Sequence, residues 1–433
     1  MTTQTVLPVE GDQLKSISVL RGEPDWLTES RIQALQLAGE LHLPKLEKTR
    51  LDRWDLSGYG SLREARKEIS QQIPDAIAPI VELKENSNLL VQNNSDTVFT
   101  QLSPELSAQG VIFTDLETAV REHGDLVKGY LNSVVKPEEN QLTALHSALW
   151  SGGVFLYVPK NVVIDTPLQS IFMLDDSKIT FAPHVLIVAE ANSKVAYVDN
   201  YISKHADGTI IHNGVAEVIV KPGAKVLFAS VHDLNERTTD LSYRRALVEN
   251  DGSIEWIVGE MNDGDSMSET LSVLKGNGSS SDAKVIAVGS GTQKLNCTTK
   301  AIHFGKSSTS HMITRAVMRE NATGIINGIT KIEKGATKAD GQQTEKVLML
   351  SPKARGDANP ILLIDEDDVS AGHAASVGQV NPEQIYYLMS RGITRAEAER
   401  LIIYGFLAPV VSDIPLEPVQ QLLQSLVERK LGQ

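Results

Sequence analysis

The feature that most constrains this chain is a recurrence. Ile187-Val188-Ala189-Glu190-Ala191-Asn192-Ser193-Lys194-Val195-Ala196-Tyr197, Ile219-Val220-Lys221-Pro222-Gly223-Ala224-Lys225-Val226-Leu227-Phe228 and Leu247-Val248-Glu249-Asn250-Asp251-Gly252-Ser253-Ile254-Glu255-Trp256 share one plan. Each is an apolar strand, a tight polar turn and a second strand. The second strands begin at Val195, Val226, Ile254, Val285 and, less clearly, Ile325. Apart from the last step, that is a period of roughly thirty residues. A unit this short cannot bury its own apolar face, so the period predicts coils stacked into a solenoid, each covering the next. The predicted core spans 86–372. A β-sandwich also spaces short strands by turn signals, and the residues alone leave both open.

The flanks have a different texture. Region 1–85 reads as helical: Pro24-Asp25-Trp26-Leu27 leads into Arg31–Leu41 with apolar residues three and four apart, and Leu62–Ile73 follows. A helical insert near 115–150 interrupts the strands. Region 373–433 is again helical. Asn381-Pro382-Glu383-Gln384 combines a capping side chain, a proline at the first helical position and Gln at the third, and Gly392 ends that helix. Thr394-Arg395-Ala396-Glu397 is a second capping box, opening a helix that Pro409 is expected to stop. These helices carry more apolar residues than a small cap needs. The surplus predicts either packing against the solenoid's end or a docking surface.

Charge and cysteine content narrow the function. A net charge of −14 and an acidic isoelectric point disfavour nucleic-acid wrapping, which draws on clustered Lys and Arg. A negative surface is also repelled by anionic membranes. No apolar run reaches the roughly eighteen residues of a spanning helix, and the first residues lack a secretion pattern, so a cytoplasmic location is expected. Cys297 is the single cysteine, which excludes an internal disulfide. Gly305-Lys306-Ser307 imitates the end of a phosphate loop, but Lys300 stands where the first glycine belongs. Asp365, Asp367 and Asp368 would suit a β-helix polysaccharide hydrolase or lyase, although an acidic run is more often a solvated one.

The most specific residues lie near the C-terminus. Asp367-Asp368-Val369-Ser370-Ala371-Gly372-His373-Ala374-Ala375-Ser376-Val377-Gly378-Gln379 runs on into Gln384-Ile385-Tyr386-Tyr387-Leu388-Met389-Ser390-Arg391-Gly392-Ile393. This stretch resembles a signature of the SufB/SufD family, the scaffold proteins of the Suf iron–sulfur cluster assembly machinery. The family form is an acidic pair, a histidine followed by small residues and glycine, then a Phe/Tyr-Tyr-Leu-x-Ser-Arg-Gly-Ile helix end. The likeness covers most of the chain from about Gly153 onward and is most specific over 360–406. It implies a mainly β fold, a right-handed parallel β-helix core with α-helical regions at both termini, which favours the solenoid over the sandwich.

Within the family, two departures point to the SufD side. SufB carries a cysteine between a Gln near the last strand and a later Pro; the matching segment here is Gln343–Pro360, with Ala354 at the cysteine's place. SufB also follows its late histidine with Glu, whereas His373 is followed by Ala374. Ala371 stands where many SufD proteins have a further cysteine. The resemblance implies a non-catalytic subunit that pairs with SufB through the β-helix ends and docks the SufC ATPase through its C-terminal helices. Tyr386, Tyr387, Arg391, Tyr404 and Phe406 are the residues expected at SufC. His373 is expected at the cluster-assembly interface, as a metal ligand completed by SufB. A neutral imidazole suits iron, and Ala371, Gly372, Ala374 and Ala375 leave the ring unshielded.

One thiolate cannot chelate a cluster, which normally takes four ligands. No cofactor is therefore expected on this chain alone. A cluster would stand transiently at the SufB interface, and a reduced flavin on the complex is left open, as is a homodimer of the isolated chain. A purely structural subunit with an incidental histidine is the plainer alternative.

Overall fold

The computed structural model describes residues 7–64, 69–75, 77, 81, 86–203, 208–411 and 417–430. Helices α1 (Gly11–Leu20) and α2 (Asp25–Glu40) come first. A hairpin of β1 (Asn88–Asn93) and β2 (Asp96–Gln101) leads to α3 (Pro104–Ala108), β3 (Ile112–Asp115), α4 (Leu116–Glu122), α5 (Gly124–Tyr130) and α6 (Gln141–Leu149). From there the chain is nearly all strand: β4 (Gly153–Val158), β5 (Leu168–Leu174), β6 (His184–Ala189), β7 (Lys194–Ser203), β8 (Ile210–Val220), β9 (Lys225–Asp233), β10 (Thr238–Val248) and β11 (Ser253–Glu260). The run continues through β12 (Ser266–Leu274), β13 (Ser280–Gly289), β14 (Lys294–His303), β15 (Thr309–Met318), β16 (Thr323–Ile332), β17 (Asp340–Met349), β18 (Arg355–Ile364) and β19 (Ser370–Gln379). Helices α7 (Pro382–Ser390), α8 (Arg395–Val411) and α9 (Glu417–Lys430) close it.

Strands two apart in chain order pair in parallel. The odd strands from β5 to β19, joined by β1 and β2, make a ten-stranded sheet; the even strands from β4 to β18, joined by β3, make a nine-stranded one. Two strands therefore complete one coil, and β4–β19 form a solenoid of eight coils. Ile325 lies in β16 of the nine-stranded sheet, whereas Val195, Val226, Ile254 and Val285 lie in the ten-stranded one. That is why its spacing broke the period.

One corner explains the recurrence. Asn161, Asn192, Gly223, Asp251, Gly278, Ser307 and Lys338 all have positive φ, between 53° and 70°. Left-handed backbone costs an ordinary residue about 1–2 kcal/mol, so short polar residues and glycine dominate the column. Each of these N–H groups donates to a carbonyl of the following coil, Asn161 to Ala191, Asn192 to Pro222, Gly223 to Asn250, Asp251 to Asn277, Gly278 to Lys306, Ser307 to Thr337 and Lys338 to Asp368, at 2.6–3.0 Å. The phosphate-loop look-alike is one such corner. Gly305 stacks so closely on Gly276 that a Cβ would strike its carbonyl.

Strand parity divides the side chains. In the ten-stranded sheet Tyr197, Phe228 and Trp256 point inward and stack, with neighbouring ring centroids 5.1 Å apart. Alternate residues Val198, Val231, Ile257 and Ile286 point outward, where α8 and α9 cover them with Ile403, Leu407, Val410, Leu423 and Val427. The terminal helices thus pack on the solenoid's flank and not on its end. Helix α8 also runs two residues beyond Pro409. A proline in the last turn forfeits a single backbone bond there, which the packed face outweighs.

The N-terminal helices brace the opposite sheet. Arg31 donates to the carbonyls of Ala148 and Trp150, lies 4.3 Å from the Trp150 ring centroid and pairs with Glu23. Glu217, wholly buried on the outer face of β8, accepts from the N–H groups of Asn132, Val134 and Val135 and from His184 Nε2, fixing the α4–α6 insert. The predicted helix over Leu62–Ile73 does not form in its described residues; 65–68 lie outside them. Ser61 instead bridges Ile179, and its N–H donates to Lys178, tying the segment in extended form to the solenoid.

Candidate functional site at the open end of the solenoid

Strands β18 and β19 are the outermost members of their sheets, each paired on one side only. Residues 373–379 belong to β19, so the boundary expected at 372/373 cuts a strand, and the helical region begins at Pro382. Most of these residues are small and of low strand propensity; the ladder to β17, in register from Asp340↔Ser370 to Met349↔Gln379, holds them extended. Leu363, Ile364 and Val377 are each nearly half exposed here.

His373 is on the inward-facing side of this last strand. Its register partner is Gln343, which reaches across the interior to accept from Thr330 Oγ1 at 2.7 Å and donate to Gly328 O at 3.1 Å. Stacked parallel strands keep side-chain orientation, so His373 faces the same way and, with no coil above it, is exposed. Its shielding is slight, as expected: Ala371 and Ala375 are the neighbouring inward residues. Ala354, at the corner before β18, packs instead in an apolar cluster with Val347 and Ile326.

Sequence reasoning missed Glu345. It is buried, faces inward two residues beyond Gln343, and lies under Ala375. Gly328 makes room for it, since a Cβ there would collide with Glu345 Oε1. Its Oε2 has no hydrogen-bond partner, and burial pushes the carboxyl up to about 7. The Gln343-x-Glu345 spacing in a strand was the available signal.

Deeper inside, His212, His232 and Asp240 bring ligand atoms within 4.8 Å of one another, among the described residues the one group of its kind. Their hydrogen bonds form a polar network in which only His212 Nε2 lacks a partner. Both Nδ1 atoms donate to Asp240, at 2.8 and 2.7 Å, and Ser242 and Asn262 donate to the same carboxylate. Arg244 donates to His232 Nε2 at 2.6 Å and pairs with Glu260. Arginine has no lone pair, so His232 is neutral with its proton on Nδ1, consistent with the burial that lowers its pKa. Asp240 is held well below the usual carboxylate range by the two imidazoles, against the desolvation that opposes it. Cys297, close to this network, is buried, and burial pushes its thiol up. That places it as packing and leaves it a poor thiolate.

The residues expected at SufC divide. Tyr386 and Tyr387 are largely exposed, and Arg391 lies over the Tyr387 ring at 5.3 Å. Of the three, Tyr387 lines a groove between α7 and α8, with Gln384, Leu388, Leu401 and Ile402; Tyr386 and Arg391 lie outside its lining. Tyr404 and Phe406 instead turn toward the solenoid flank: Tyr404 donates to Glu428 at 2.7 Å, and Arg315 sits over the Phe406 ring. Asp365, Asp367 and Asp368 occupy the exposed β18–β19 corner, where Asp368 O takes the last rung of the corner ladder. They are solvated and form no cleft.

Comparison with known proteins gives this geometry its context. Residues 172–406 match the family described as SUF system FeS cluster assembly, SufBD core domain, and residues 23–170 the SufBD protein N-terminal region. The chain belongs to the SufB/SufD family. It is 47% identical over 436 residues to the iron–sulfur cluster assembly protein SufD of Bacillus subtilis, covering all of both chains. An iron–sulfur cluster assembly SufBD family protein of Staphylococcus epidermidis is 30% identical, over 96% of this chain and 92% of that one. One from Staphylococcus haemolyticus is 29% identical, over 97% and 93%. The SufB/SufD core match ends at Phe406, within α8, and so takes in the mouth, His373 and the α7–α8 groove. Among the described residues, no helix is long and apolar enough to cross a membrane.

Proposed function

We propose that this chain is the SufD-type subunit of a SufB–SufC–SufD scaffold on which iron–sulfur clusters are assembled in the cytoplasm. The observation that carries the reading is the uncapped end. A solenoid needs its terminal coil covered, and two free strand edges with Leu363, Ile364 and Val377 exposed invite pairing with another sheet. A second solenoid of the same family, SufB, supplies matching edges. His373 then lies at the seam, able to offer iron an imidazole while SufB supplies the thiolates. The groove beside Tyr386, Tyr387 and Arg391 is the docking surface for SufC, the ATPase; Tyr404 and Phe406 support that surface from behind. The chain has no turnover of its own and holds no cluster alone, since its one thiol is buried.

Co-expression with SufB and SufC followed by intact-mass measurement tests this. A 1:1 association with SufB that is lost when Val377→Lys and Leu363→Lys are combined is the expected result. The reading falls if the isolated chain is a stable monomer that ignores SufB, or if the edge variant still binds it. A homodimer of the isolated chain through the same edge should give way to excess SufB.

A further inference from the structure

We propose that Glu345 is a second ligand for the divalent iron that His373 meets, so that this chain offers a carboxylate and an imidazole to one cation site in the solenoid mouth. The proposal rests on the reading of His373 given above and adds a residue to it.

Three observations carry it. Glu345 and His373 lie on adjacent strands with the same inward orientation, because Gln343 pairs with His373 and Glu345 is two residues further along. A strand spacing of about 4.8 Å and a two-residue offset of about 6.6 Å put their Cα atoms roughly 8 Å apart. Side chains of these lengths can close on a common ion over that span, with ligand distances of about 2.0–2.2 Å. Next, the position above Glu345 in its own sheet is Ala375, and Gln343 has both of its amide atoms engaged across the interior, so neither of these residues separates the carboxyl from the ring. Last, Glu345 is only 1% exposed, yet its Oε2 has no partner. An unsatisfied buried acceptor costs on the order of 1–3 kcal/mol and calls for an explanation. A cation in the mouth would provide one. Imidazole and carboxylate together suit iron(II), and the open side leaves positions for ligands from a partner.

The buried His212–Asp240–His232 network makes the contrast. There every imidazole and carboxylate atom but His212 Nε2 has a partner and all three residues are buried, whereas His373 at the mouth is exposed.

The test is anaerobic equilibrium dialysis of the full-length chain against iron(II), with the same titration of the double variant subtracted as surface binding. The expected result is one iron(II) per wild-type chain, weakened about tenfold or more by Glu345→Gln and by His373→Ala, with circular dichroism and melting temperature unchanged. Glu345→Asp, which keeps the charge and shortens the reach, stands in if Glu345→Gln unfolds, and it too should weaken binding. Loss in His373→Ala with wild-type binding in Glu345→Gln would overturn this proposal and leave the His373 reading standing. Unchanged binding in both variants would overturn both. A wild-type chain that takes up no iron(II) at millimolar metal would overturn the two-ligand site.

Discussion

The two ends of the solenoid are built to opposite rules. At the first end, β5 and β6 are buried at every position and β4 at all but one, β4 and β6 against α2, α4 and α5, and β5 against Ile77 and the β1–β2 hairpin. At the last coil no residue of β18 or β19 is fully buried. One pair of buried glutamates differs in the same sense. Glu217, near the first end, satisfies both oxygens with four donors, whereas Glu345, one coil from the other end, keeps an oxygen without a partner. The first coils are covered by other parts of the chain, and the last coil is not.

The comparison can be broken by substitution at either end. Glu217→Ala should have the largest effect, because it orphans three backbone N–H groups and His184 in a dry interior. We expect a loss of about 3–5 kcal/mol in denaturant unfolding. A loss below about 1 kcal/mol would mean that the insert is held by its apolar face alone.

Asp199, in the second coil, sharpens the picture through pH. Burial raises its carboxyl to about 7, so the folded chain keeps a proton that the unfolded chain releases near its ordinary carboxylate value. The folded state binds more protons between about pH 4 and pH 7, and this group's contribution to stability therefore falls as pH rises through that window. Asp199→Asn should stabilise the protein by roughly 2–4 kcal/mol at pH 8 and by almost nothing at pH 4. Equal effects at both values would show that the carboxyl is ionised when folded.

The smallest effect belongs to the open end. Leu363→Ser or Val377→Ser should change unfolding free energy by no more than about 0.5 kcal/mol, since each is already nearly half exposed. A cost of about 2 kcal/mol or more would mean that the last coil is covered in the isolated chain, and the contrast between the ends would fail.

How much of this could be read from the sequence follows from where each signal resides. The coils announce themselves at one corner, because left-handed backbone demands Asn, Asp, Gly or Ser at a fixed step. His373 stood out because its stretch resembles the family signature, and its small neighbours fit that reading. Strand β19 did not, since Ser370–Gln379 is mostly Ala, Gly and Ser, with little intrinsic preference for a strand; pairing with β17 makes it one. Helical periodicity at Leu62–Ile73 lost to a tertiary tie at Ser61. Which solenoid surface α8 and α9 would cover was not legible, because an apolar helix face names no partner. Glu345 was hidden for a different reason: a lone Glu in a polar strand reads as solvated, and only the stacking of coils turns it inward.

The corner ladder also makes the molecule a ruler. Because each rung joins one coil to the next by the same backbone bond, the axis grows in fixed increments of about 4.8 Å, and a whole coil is the smallest unit that can be gained or lost without breaking the column. Seven such steps separate the first coil from the last, which sets the capped end roughly 34 Å from the mouth. Side chains can change freely along the outer faces without altering that distance. Only the number of coils can.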